Sequence, residues 1–437
     1  MERISLAEAK KKSSQKVIVA GFAQSIRKQG GIIFITLREV SGLLQIVVTE
    51  KERVAFGVAE KLSLESVIAV TGLVKKEKQA PEGVEISATK IEVLSLAAPS
   101  LPIPIVVKSG GEVKESKKLT WRWLELRQPK KLLVFKVWTV LEQAFREYWL
   151  SHSYLEIHSP KLMSAPSESG AELFEVKYFK RKAYLAQSPQ FYKQMAICSG
   201  LEKVFEVGPV FRAEPSFTTR HCTEFTGFDS EFAYIQSYQE VIKEEQRLLV
   251  YVFSKVKKEL GKEIEAVYTH KIIVPQIPFP QLTIKKAKKI LKKKGVYSEK
   301  EGDLSALEEK KIGEHVEEEL GHQFIFLTQY PAKERAFYHM RLRPGSKLTA
   351  GFDLLFKGIE ITTGAQREHR YPILLKQAKE HGLSEKSLGH YLSFFKYGCP
   401  PHGGFGMGPA RIIMKMLGAR SIREVVYIYR GVKRLTP

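Results

Sequence analysis

Short apolar runs separated by turn signals occupy the first quarter of the chain. Five of these runs have the length and β-branched content of strands: KVIVAGFA, IIFITLRE, LLQIVVT, VIAVTGLV and VEISATKIEVL. Glycine turns and a Pro-Glu-Gly turn separate them, and a helical stretch, KERVAFGVAEKL, lies between the third and fourth runs. Five strands with a helix in that position predict a small Greek-key β-barrel of the oligonucleotide-binding kind (OB-fold).

Longer helical and strand patterns fill the rest of the chain. Apolar residues at helical spacing run from Leu133 to Trp149, and a predicted strand, LEIHSPKL, follows, with Pro160 restricting it to a sheet edge or a bulge. Two more predicted strands, VFEVGPVF and FDSEFAYI, flank a long polar loop and are expected to pair antiparallel. Further on, HQFIFLTQY, FDLLF and GIEIT precede a glycine-rich strand that runs into an apolar helix. These patterns predict a second, α+β domain.

The boundary between the two domains is marked by composition. A proline-rich segment, APSLPIPIVV, ends the barrel, and residues 108–118 are polar and charged, as expected of a hinge. We therefore expect a barrel at 1–105, a hinge or linker at 106–130, and a second domain at 131–437 with an insertion at roughly 265–345. The insertion contains a basic run, IKKAKKILKKKG, which favours a solvated helix face over a specific site.

Charge and cysteine content narrow the class of protein. The 437 residues include 70 Lys+Arg and 48 Asp+Glu, a net charge of +22, which suits a polyanionic partner because each neutralised phosphate releases counterions. A generally basic enzyme remains the alternative. The three cysteines are scattered without a C-x-x-C, so we expect neither a disulfide framework nor a zinc cluster. No signal peptide or membrane span is predicted, and a reducing cytoplasm fits best.

Residues with candidate chemistry concentrate in three places. In residues 211–231, FRAEPSFTTRHCTEFTGFDSE, arginines accompany a carboxylate and a histidine. The planar guanidinium of arginine can bind two phosphate oxygens at once, so this segment is a candidate phosphate-binding loop. A surface loop of salt bridges is the alternative. Glu360 and Thr363 supply hard oxygen ligands suited to Mg²⁺, with a strand-edge charge as the alternative for Glu360. Arg411 follows a glycine cluster at the start of a helix, where anions are favoured.

The order of these patterns resembles that of a known enzyme family. FRAE…TTRH…TEFTGFDSE resembles motif 2 of the class II aminoacyl-tRNA synthetases, especially the aspartyl enzymes of the archaeal and eukaryotic type. The helix and LEIHSP resemble motif 1, which builds the dimer interface, and HGGFGMGPAR resembles motif 3. The resemblance covers essentially the entire chain. It implies a catalytic domain built on an antiparallel β-sheet flanked by helices, a homodimer, and the ATP-dependent, Mg²⁺-assisted ligation of L-aspartate to tRNA-Asp, with tRNA-Asn as a further possible substrate.

Individual roles follow from the resemblance, position by position. It implies three catalytic residues, Arg212, Glu360 and Arg411, and two ligands of Mg²⁺, Glu360 and Thr363. The implied aspartate-binding residues are Glu168, Gln190, Lys193, Arg212, Asp229, Thr363 and Arg367. The implied ATP-binding residues are Arg212, Glu214, Arg220, His221, Cys222, Phe225, Glu360, Gly408 and Arg411. Aspartate would be selected by charge, because a buried β-carboxylate requires cationic partners such as Lys193 and Arg367.

The resemblance also assigns residues on the barrel. Phe34, Gln45 and Glu85 would read the anticodon, while Gln24 and Pro81 would influence the choice between tRNA-Asp and tRNA-Asn. From the residue pattern alone, the favoured interpretations are a core aromatic for Phe34 and a solvated face residue for Gln45, and the resemblance changes that preference. The lysine run of the insertion is a further candidate contact for the acceptor arm of a tRNA.

Three alternatives and three departures accompany this interpretation. The first alternative is an asparaginyl enzyme, which typically lacks the lysine at 193 and the FTGFDSE ending. The second is a non-catalytic paralogue, which would have lost Arg212, Glu360 or Arg411. The third is an amide-forming ligase, which would lack the barrel. Against the family pattern, Ala410 replaces an acid, the loop PSFTTRH lacks an asparagine, and SESGAELF lacks a double glycine. These departures bear on ATP affinity and on closure of the loop.

Overall fold

The computed structural model describes residues 2–106, 113–164, 172–215, 218–297 and 300–437. The chain forms two compact units, Met1–Leu132 (with Pro437) and Leu133–Thr436. Each unit has its own strands and its own apolar core, so each is described by itself.

The first unit is a closed five-stranded barrel. A short helix, α1 (Leu6–Ala9), precedes it, and the helix α2 (Arg53–Glu60) lies between its third and fourth strands. The strands are β1 (Lys16–Gln29), β2 (Ile32–Glu39), β3 (Gly42–Thr49), β4 (Val67–Lys76) and β5 (Val84–Ser95). Their order around the barrel is β1-β2-β3-β5-β4, with only the β3–β5 pair parallel. The predicted OB-fold barrel is confirmed.

Alternation of side chains along each strand separates the core of the barrel from its surface. In β2, Ile33, Ile35 and Leu37 point inward and are buried, whereas the residues between them are partly exposed. After the barrel, two short helices, α3 (Glu115–Thr120) and α4 (Arg122–Glu125), lie in the stretch expected to be a linker.

The second unit contains the remaining elements. Its helices are α5 (Pro129–Ser151, which begins in the first unit), α6 (Gln190–Cys198), α7 (Tyr238–Tyr268), α8 (Ile284–Lys293), α9 (Ala306–Leu320), α10 (Tyr371–Glu380), α11 (Glu385–Lys396) and α12 (Pro409–Met416). Its strands are β6 (Leu155–Glu156), β7 (Leu162–Met163), β8 (Glu175–Tyr178), β9 (Arg181–Leu185), β10 (Lys203–Phe211), β11 (Glu224–Ala233), β12 (Gln281–Thr283), β13 (Phe324–Thr328), β14 (Gly351–Phe356), β15 (Ile359–Gln366) and β16 (His402–Met407).

An eight-stranded sheet organises this unit, in the order β12-β13-β14-β15-β16-β11-β10-β6. Its six central strands pair antiparallel, which confirms the predicted antiparallel sheet flanked by helices, and only the two short edge strands, β12 and β6, pair parallel with their neighbours. A smaller sheet has the order β7-β9-β8. Because β12 and β13 belong to the main sheet, the region we expected to be an insertion contributes strands to it.

The strand predicted over LEIHSPKL is wrong in detail. Leu155–Glu156 joins the main sheet, and Leu162–Met163 joins the small one. Between them, the Ser159 amide donates to the Glu206 carboxylate at 3.0 Å instead of to a neighbouring strand. Pro160 has no amide hydrogen to donate, so a continuous strand would lose a ladder bond at that point. Among the described residues, no helix is long and apolar enough to cross a membrane.

Candidate active site

A cavity of about 270 Å³ opens in the second unit above the middle strands of the sheet. Residues from β10, β11, β15, β16, α6 and α12 line it. The predicted amino-acid-, ATP- and metal-binding residues found there are Gln190, Lys193, Arg212, Glu214, Arg220, His221, Cys222, Phe225, Asp229, Glu360, Thr363, Arg367, Gly408 and Arg411. Glu168, the remaining predicted contact of aspartate, lies outside the described residues. Segments far apart in sequence therefore converge on one space.

The loop between β10 and β11 holds cations at the mouth of the cavity. The two strands pair in register from Lys203↔Phe232 to Phe211↔Glu224, so Arg212 begins the loop directly above the pair. Its guanidinium is 45 % exposed, lies 3.6 Å from a Glu214 carboxylate oxygen and stands over the Phe225 ring at 5.8 Å. Arg212 is thus loosely held and accessible from the cavity, as a residue that binds a ligand anion must be.

His221 is a neutral donor or acceptor at this site. Burial, together with the positive charge of Arg411, lowers its pKa to about 4, although Glu214 lies 3.8 Å away and opposes the shift. In the same loop, burial raises the pKa of Cys222 to about 12, so this thiol stays protonated. Both residues can contact a ligand only as neutral groups near pH 7.

Arg220 is held by a carboxylate that the sequence did not suggest. Glu309 in α9 accepts from the two terminal nitrogens of Arg220 at 2.5 and 3.3 Å, and its carboxylate also accepts the Glu360 amide at 3.3 Å. Burial raises the pKa of Glu309, and Arg220 opposes that shift. One side chain of the inserted helix therefore ties the loop between β10 and β11 to the beginning of β15.

Glu360 and Arg411 lie together at the end of the cavity that contains Arg220. Arg411 donates to the Glu360 carbonyl at 2.8 Å and lies 3.6 Å from its carboxylate. Burial, with the neighbouring Asp353 carboxylate, raises the pKa of Glu360 to about 7. The Thr363 hydroxyl lies 3.5 Å from the Glu360 carboxylate. Arg411 and Arg335 oppose this rise, and a cation bound beside the carboxylate would lower its pKa further.

The donor set of Glu360 and Thr363 fits Mg²⁺. Both are hard oxygen ligands that line the same cavity. Among the described residues, no group of three or more His, Cys, Asp and Glu side chains could hold a metal ion. Mg²⁺ typically takes one or two protein ligands and completes its shell with water and phosphate oxygens, so two ligands suffice only if a phosphorylated substrate is present.

The other end of the cavity is a buried network of four charges. Lys193 in α6, 2 % exposed, lies 3.0 Å from Asp229 and 3.2 Å from Glu231, and it donates to the Phe405 carbonyl at 3.1 Å. Arg367 donates to Glu231 through Nε at 2.9 Å and through Nη2 at 3.3 Å. The two cations and two carboxylates balance, as buried charges must.

Arg367 keeps one nitrogen available to a ligand. Its Nε and Nη2 are used by Glu231 and by the Gly404 carbonyl, the latter at 3.1 Å. Within the described part of the chain, Nη1 has no hydrogen-bond acceptor, and the residue lines the cavity. Glu231 was not among the predicted site residues, yet its carboxylate fixes the orientation of this guanidinium.

Glycines in β16 make room for these carboxylates. A side chain at Gly404 would place its Cβ 2.0 Å from the Ser230 carbonyl and 2.4 Å from the Glu231 carboxylate. At Gly406 a Cβ would approach the Asp229 carboxylate to 2.9 Å. At these two positions the absence of a side chain makes room for the protein's own charged side chains.

Arg335 was also missed. It lines the cavity, and its Nη1 donates to Asp353 at 2.8 Å in a two-point ion pair while the guanidinium stacks 3.5 Å from the Tyr330 ring centre. Its sequence context, PAKERAFY, offers no phosphate-binding pattern. Only the approach of this segment to β14 brings the residue to the site.

A patch on the outside of the barrel contains the predicted anticodon readers. Gln45 and Glu85 are opposite each other in the parallel β3–β5 pair, and the Gln45 amide donates to Glu85 at 3.0 Å. The half-buried Phe34 lies on the neighbouring strand with the Arg27 guanidinium 5.0 Å from its ring centre. An aromatic face beside a cation and two base-edge partners suits a single strand of nucleic acid.

The two predicted tRNA-discrimination residues occupy different parts of the barrel. Gln24 lies in β1 and accepts a hydrogen bond from Arg38 at 3.1 Å. Pro81 begins a single helical turn between β4 and β5 and is exposed. Gln24 is therefore held in place by a neighbouring side chain, whereas Pro81 stiffens a surface turn.

Two known families match the chain. The one described as "tRNA synthetases class II (D, K and N)" matches residues 114–429, and "OB-fold nucleic acid binding domain" matches residues 17–94. The chain belongs to the class II tRNA synthetases. Full-length relatives agree: it is 40 % identical over 427 residues to the aspartate–tRNA(Asp) ligase of Pyrococcus horikoshii, with 97 % of each chain covered. It is 41 % identical over 430 residues to the aspartate–tRNA(Asp/Asn) ligase of Aeropyrum pernix, with 97 % of this chain and 96 % of that one covered.

Solved structures give the same fold. The asparaginyl-tRNA synthetase of Pyrococcus horikoshii complexed with asparaginyl-adenylate superposes with a TM-score of 0.91 at 33 % identity and complete coverage of both chains. A putative aspartyl-tRNA synthetase from Leishmania major superposes with a TM-score of 0.90 at 28 % identity, covering 100 % of this chain and 95 % of that one. The synthetase's fold is thus shared by relatives named for either amino acid.

Proposed function

We propose that this synthetase is an aspartate–tRNA ligase, which activates L-aspartate with ATP and transfers it to the 3′ end of tRNA. In the first step the α-carboxylate of aspartate attacks the α-phosphorus of ATP, an aspartyl-adenylate forms and pyrophosphate leaves. A ribose hydroxyl of the tRNA then attacks the adenylate, and AMP leaves. Neither step needs a nucleophile from the protein, so the work of the site is to align two anions and offset their repulsion.

The observation that carries the proposal is the buried pair of cations at the sheet end of the cavity. Lys193 is 2 % exposed and Arg367 3 % exposed, and Nη1 of Arg367 has no acceptor among the described residues. Lys193 and Arg367 are balanced by Asp229 and Glu231, so the argument rests on the one guanidinium nitrogen, Nη1 of Arg367, that these carboxylates do not use. A substrate carboxylate would accept a charge-assisted hydrogen bond from it, whereas a substrate amide would offer a neutral and weaker acceptor, which favours aspartate over asparagine.

The opposite end suits the triphosphate. Arg212, Arg220 and Arg411 bring three guanidinium groups to the cavity. In the proposed reaction, Arg212 bridges the carboxylate and the α-phosphate, Arg220 and His221 hold the outer phosphates, and Phe225 and Arg411 enclose the adenine. Glu360 and Thr363 would hold Mg²⁺, which would neutralise phosphate charge when bound. Glu214 would contact the adenine amino group or the tRNA end.

The rest of the proposal concerns the partner and the assembly. The barrel patch around Phe34 would read the anticodon, and motif 1 would form a homodimer interface. A tRNA substrate implies work in the cytoplasm. Relatives are named both for tRNA(Asp) and for tRNA(Asp/Asn), so the range of tRNA substrates is itself part of the test.

The competing function is asparagine–tRNA ligation, favoured by the 0.91 TM-score to an asparaginyl enzyme. The test is ATP–pyrophosphate exchange by the full-length protein with aspartate or asparagine, followed by charging of tRNA-Asp and tRNA-Asn transcripts with labelled amino acid. We expect exchange with aspartate at least a hundredfold faster than with asparagine. Faster exchange with asparagine would reject the proposal in favour of its competitor.

A single variant tests the assignment at the other end of the cavity. Arg212→Ala should abolish adenylate formation while leaving tRNA binding nearly intact, because the residue lies at the cavity and not on the barrel. Equal loss of both activities would contradict the role proposed for Arg212.

A further inference from the structure

The basic run of the inserted region forms a helix with two unlike faces. Helix α8 begins after Thr283, whose hydroxyl accepts the Lys286 amide at 3.2 Å. Ile284, Ala287 and Leu291 are buried and pack into the core formed with α9 and β13. The apolar face of the helix is therefore fully used by the fold.

Lysines occupy the opposite face. At 3.6 residues per turn, the exposed ones fall within an arc of roughly 120° that lies away from the buried residues. They are Lys285, Lys286, Lys289, Lys292 and Lys293, which we call the lysine stripe. Over its length of about 12 Å the stripe presents five ammonium groups on a single rigid element.

Among the residues that the structure describes, the stripe has no acidic partner. The two lysines on its flanks are neutralised: Lys288 lies 2.7 Å from Glu308, and Lys294 lies 3.3 Å from Glu318. By contrast, none of the five lysines of the stripe forms an ion pair with any carboxylate in the described part of the chain. At the C-terminal end of the nearby helix α9, Glu318 pairs with Lys294 and with none of the lysines of the stripe.

Helix α8 is connected to the cavity through α9. Lys288, on the flank of α8, is paired with Glu308, and the next residue of α9, Glu309, holds Arg220, which lines the cavity. One helix, α9, thus lies between the helix that presents the stripe and a residue of the cavity. A polymer whose end reacts in the cavity could extend past α9 to α8.

We propose that the lysine stripe binds the phosphate backbone of the acceptor arm of the tRNA substrate. This inference rests on the proposed function. One strand of a duplex presents a phosphate roughly every 3.4 Å along its axis, so the stripe spans three to four phosphates. Lysines are flexible point charges, suited to contacts that position a backbone without reading its sequence.

A membrane surface fits this helix less well than RNA does. Peripheral membrane helices bury an apolar face in the lipid, but the apolar face of α8 is already buried in the protein. The exposed arc consists of lysines only, so contact with an anionic surface would depend on charge alone. A nucleic acid backbone requires nothing more than charge.

The test compares two full-length variants that lose the same charge. Lys285, Lys289, Lys292 and Lys293 are replaced together by Gln, which has similar helix propensity, and the control replaces the exposed Lys243, Lys257, Lys258 and Lys262 of α7 in the same way. Aspartylation of a tRNA-Asp transcript and direct binding of an acceptor-arm minihelix are measured between 50 and 200 mM salt. Thermal unfolding checks that both variants are folded.

We expect the stripe variant to raise the KM for tRNA about tenfold or more and to reduce the slope of log affinity against log salt by about two to four, for the transcript and the minihelix alike. ATP–pyrophosphate exchange should not change, and a Lys→Arg version of the same four positions should behave as wild type. Unchanged tRNA affinity, or an equal loss in the α7 control, overturns the proposal. The proposal is also overturned if the stripe variant loses binding to phosphatidylserine vesicles but still binds RNA. If wild type lacks aspartate-dependent exchange, the proposed function fails, whereas minihelix binding still reports on the stripe.

Discussion

Replacement of Lys193 by Met is the sharpest test of how the site selects its amino acid. Methionine keeps much of the length and apolar volume of the side chain but removes its charge. In the wild type the ammonium group touches Asp229 at 3.0 Å, Glu231 at 3.2 Å and the Phe405 carbonyl at 3.1 Å. Among the described residues, the variant leaves Arg367 as the one cation paired with these two buried carboxylates.

The expected magnitude follows from that imbalance. A charge-assisted hydrogen bond contributes about 1.5–3 kcal/mol, and removing one partner of a buried pair costs about 3–5 kcal/mol. Only part of that cost falls on substrate binding, since some of it destabilises the free protein. We therefore expect kcat/KM for aspartate to fall by about 10²–10³, with the KM for ATP changed by less than about threefold.

The assay is aspartate-dependent ATP–pyrophosphate exchange, with unfolding by urea measured in parallel. Lys161→Met is the matched control, because Lys161 forms an ion pair with Glu206 at 2.6 Å and does not line the cavity. The control should lose stability but keep its KM for aspartate. An unchanged KM for aspartate in Lys193→Met, or the same rise in the control, would refute the reasoning.

Three further predictions concern other parts of the molecule. Glu309→Gln should raise the KM for ATP about tenfold without changing the KM for aspartate, because the amide holds Arg220 with a neutral hydrogen bond in place of an ion pair. Steady-state kinetics of ATP–pyrophosphate exchange measure both constants. An unchanged KM for ATP would show that the ion pair does not position Arg220. Phe34→Ala should raise the KM for tRNA by about 5- to 100-fold, as expected for the loss of one stacked base, while leaving ATP–pyrophosphate exchange intact. The control is Val54→Ala, at an exposed position in the same unit. Glu245 is fully buried, and burial raises its pKa to about 8 from an ordinary 4.5, so the free energy of unfolding of the wild type should fall by about 3–5 kcal/mol at most as the pH rises from 4.5 to 8. Urea unfolding at pH 5 and pH 8 should show that Glu245→Gln removes this dependence. The same dependence of unfolding free energy on pH in both proteins would contradict the prediction.

The sign of the Glu245 effect is fixed by which state binds more protons. Below pH 4.5 the carboxyl group is protonated in both states and contributes no difference. Between pH 4.5 and 8 the unfolded chain releases the proton while the native state retains it, because burial, with a contribution from the Asp353 carboxylate, disfavours the ion. Stability therefore falls through that window, and the loss is complete above it.

Much of the fold follows from the sequence because the relevant signals are local. Alternation in IIFITLRE specifies a strand with one buried face, and the turns between the five runs specify where each strand of the barrel ends. Strands β14 and β16 are buried at nearly every residue, so their short apolar or glycine-rich runs, and not alternation, indicated them. The sequence did not reveal that LEIHSPKL divides between two sheets, since the choice of partner strand depends on which neighbour is within reach of each end.

The residues of the candidate site also divide into those that the local sequence predicted and those that it did not. Arg212, Arg220, Glu360, Thr363 and Arg411 were predicted because they belong to compact motifs in which neighbours along the chain are neighbours in space. Their convergence on one cavity agrees with those predictions, while the role of each residue remains for the experiments above.

Only the tertiary structure decided how the charges are paired. Glu231, Glu309 and Arg335 were not predicted as site residues, although each holds or accompanies a charged group at the cavity. A carboxylate in a strand or helix looks the same in sequence whether it faces water or a buried guanidinium. Its environment depends on contacts between segments tens to hundreds of residues apart, and those contacts exist only after the sheet has brought the segments together. The sequence thus determined which charged groups the protein possesses, and the fold determined which of them neutralise each other and which remain available to a ligand.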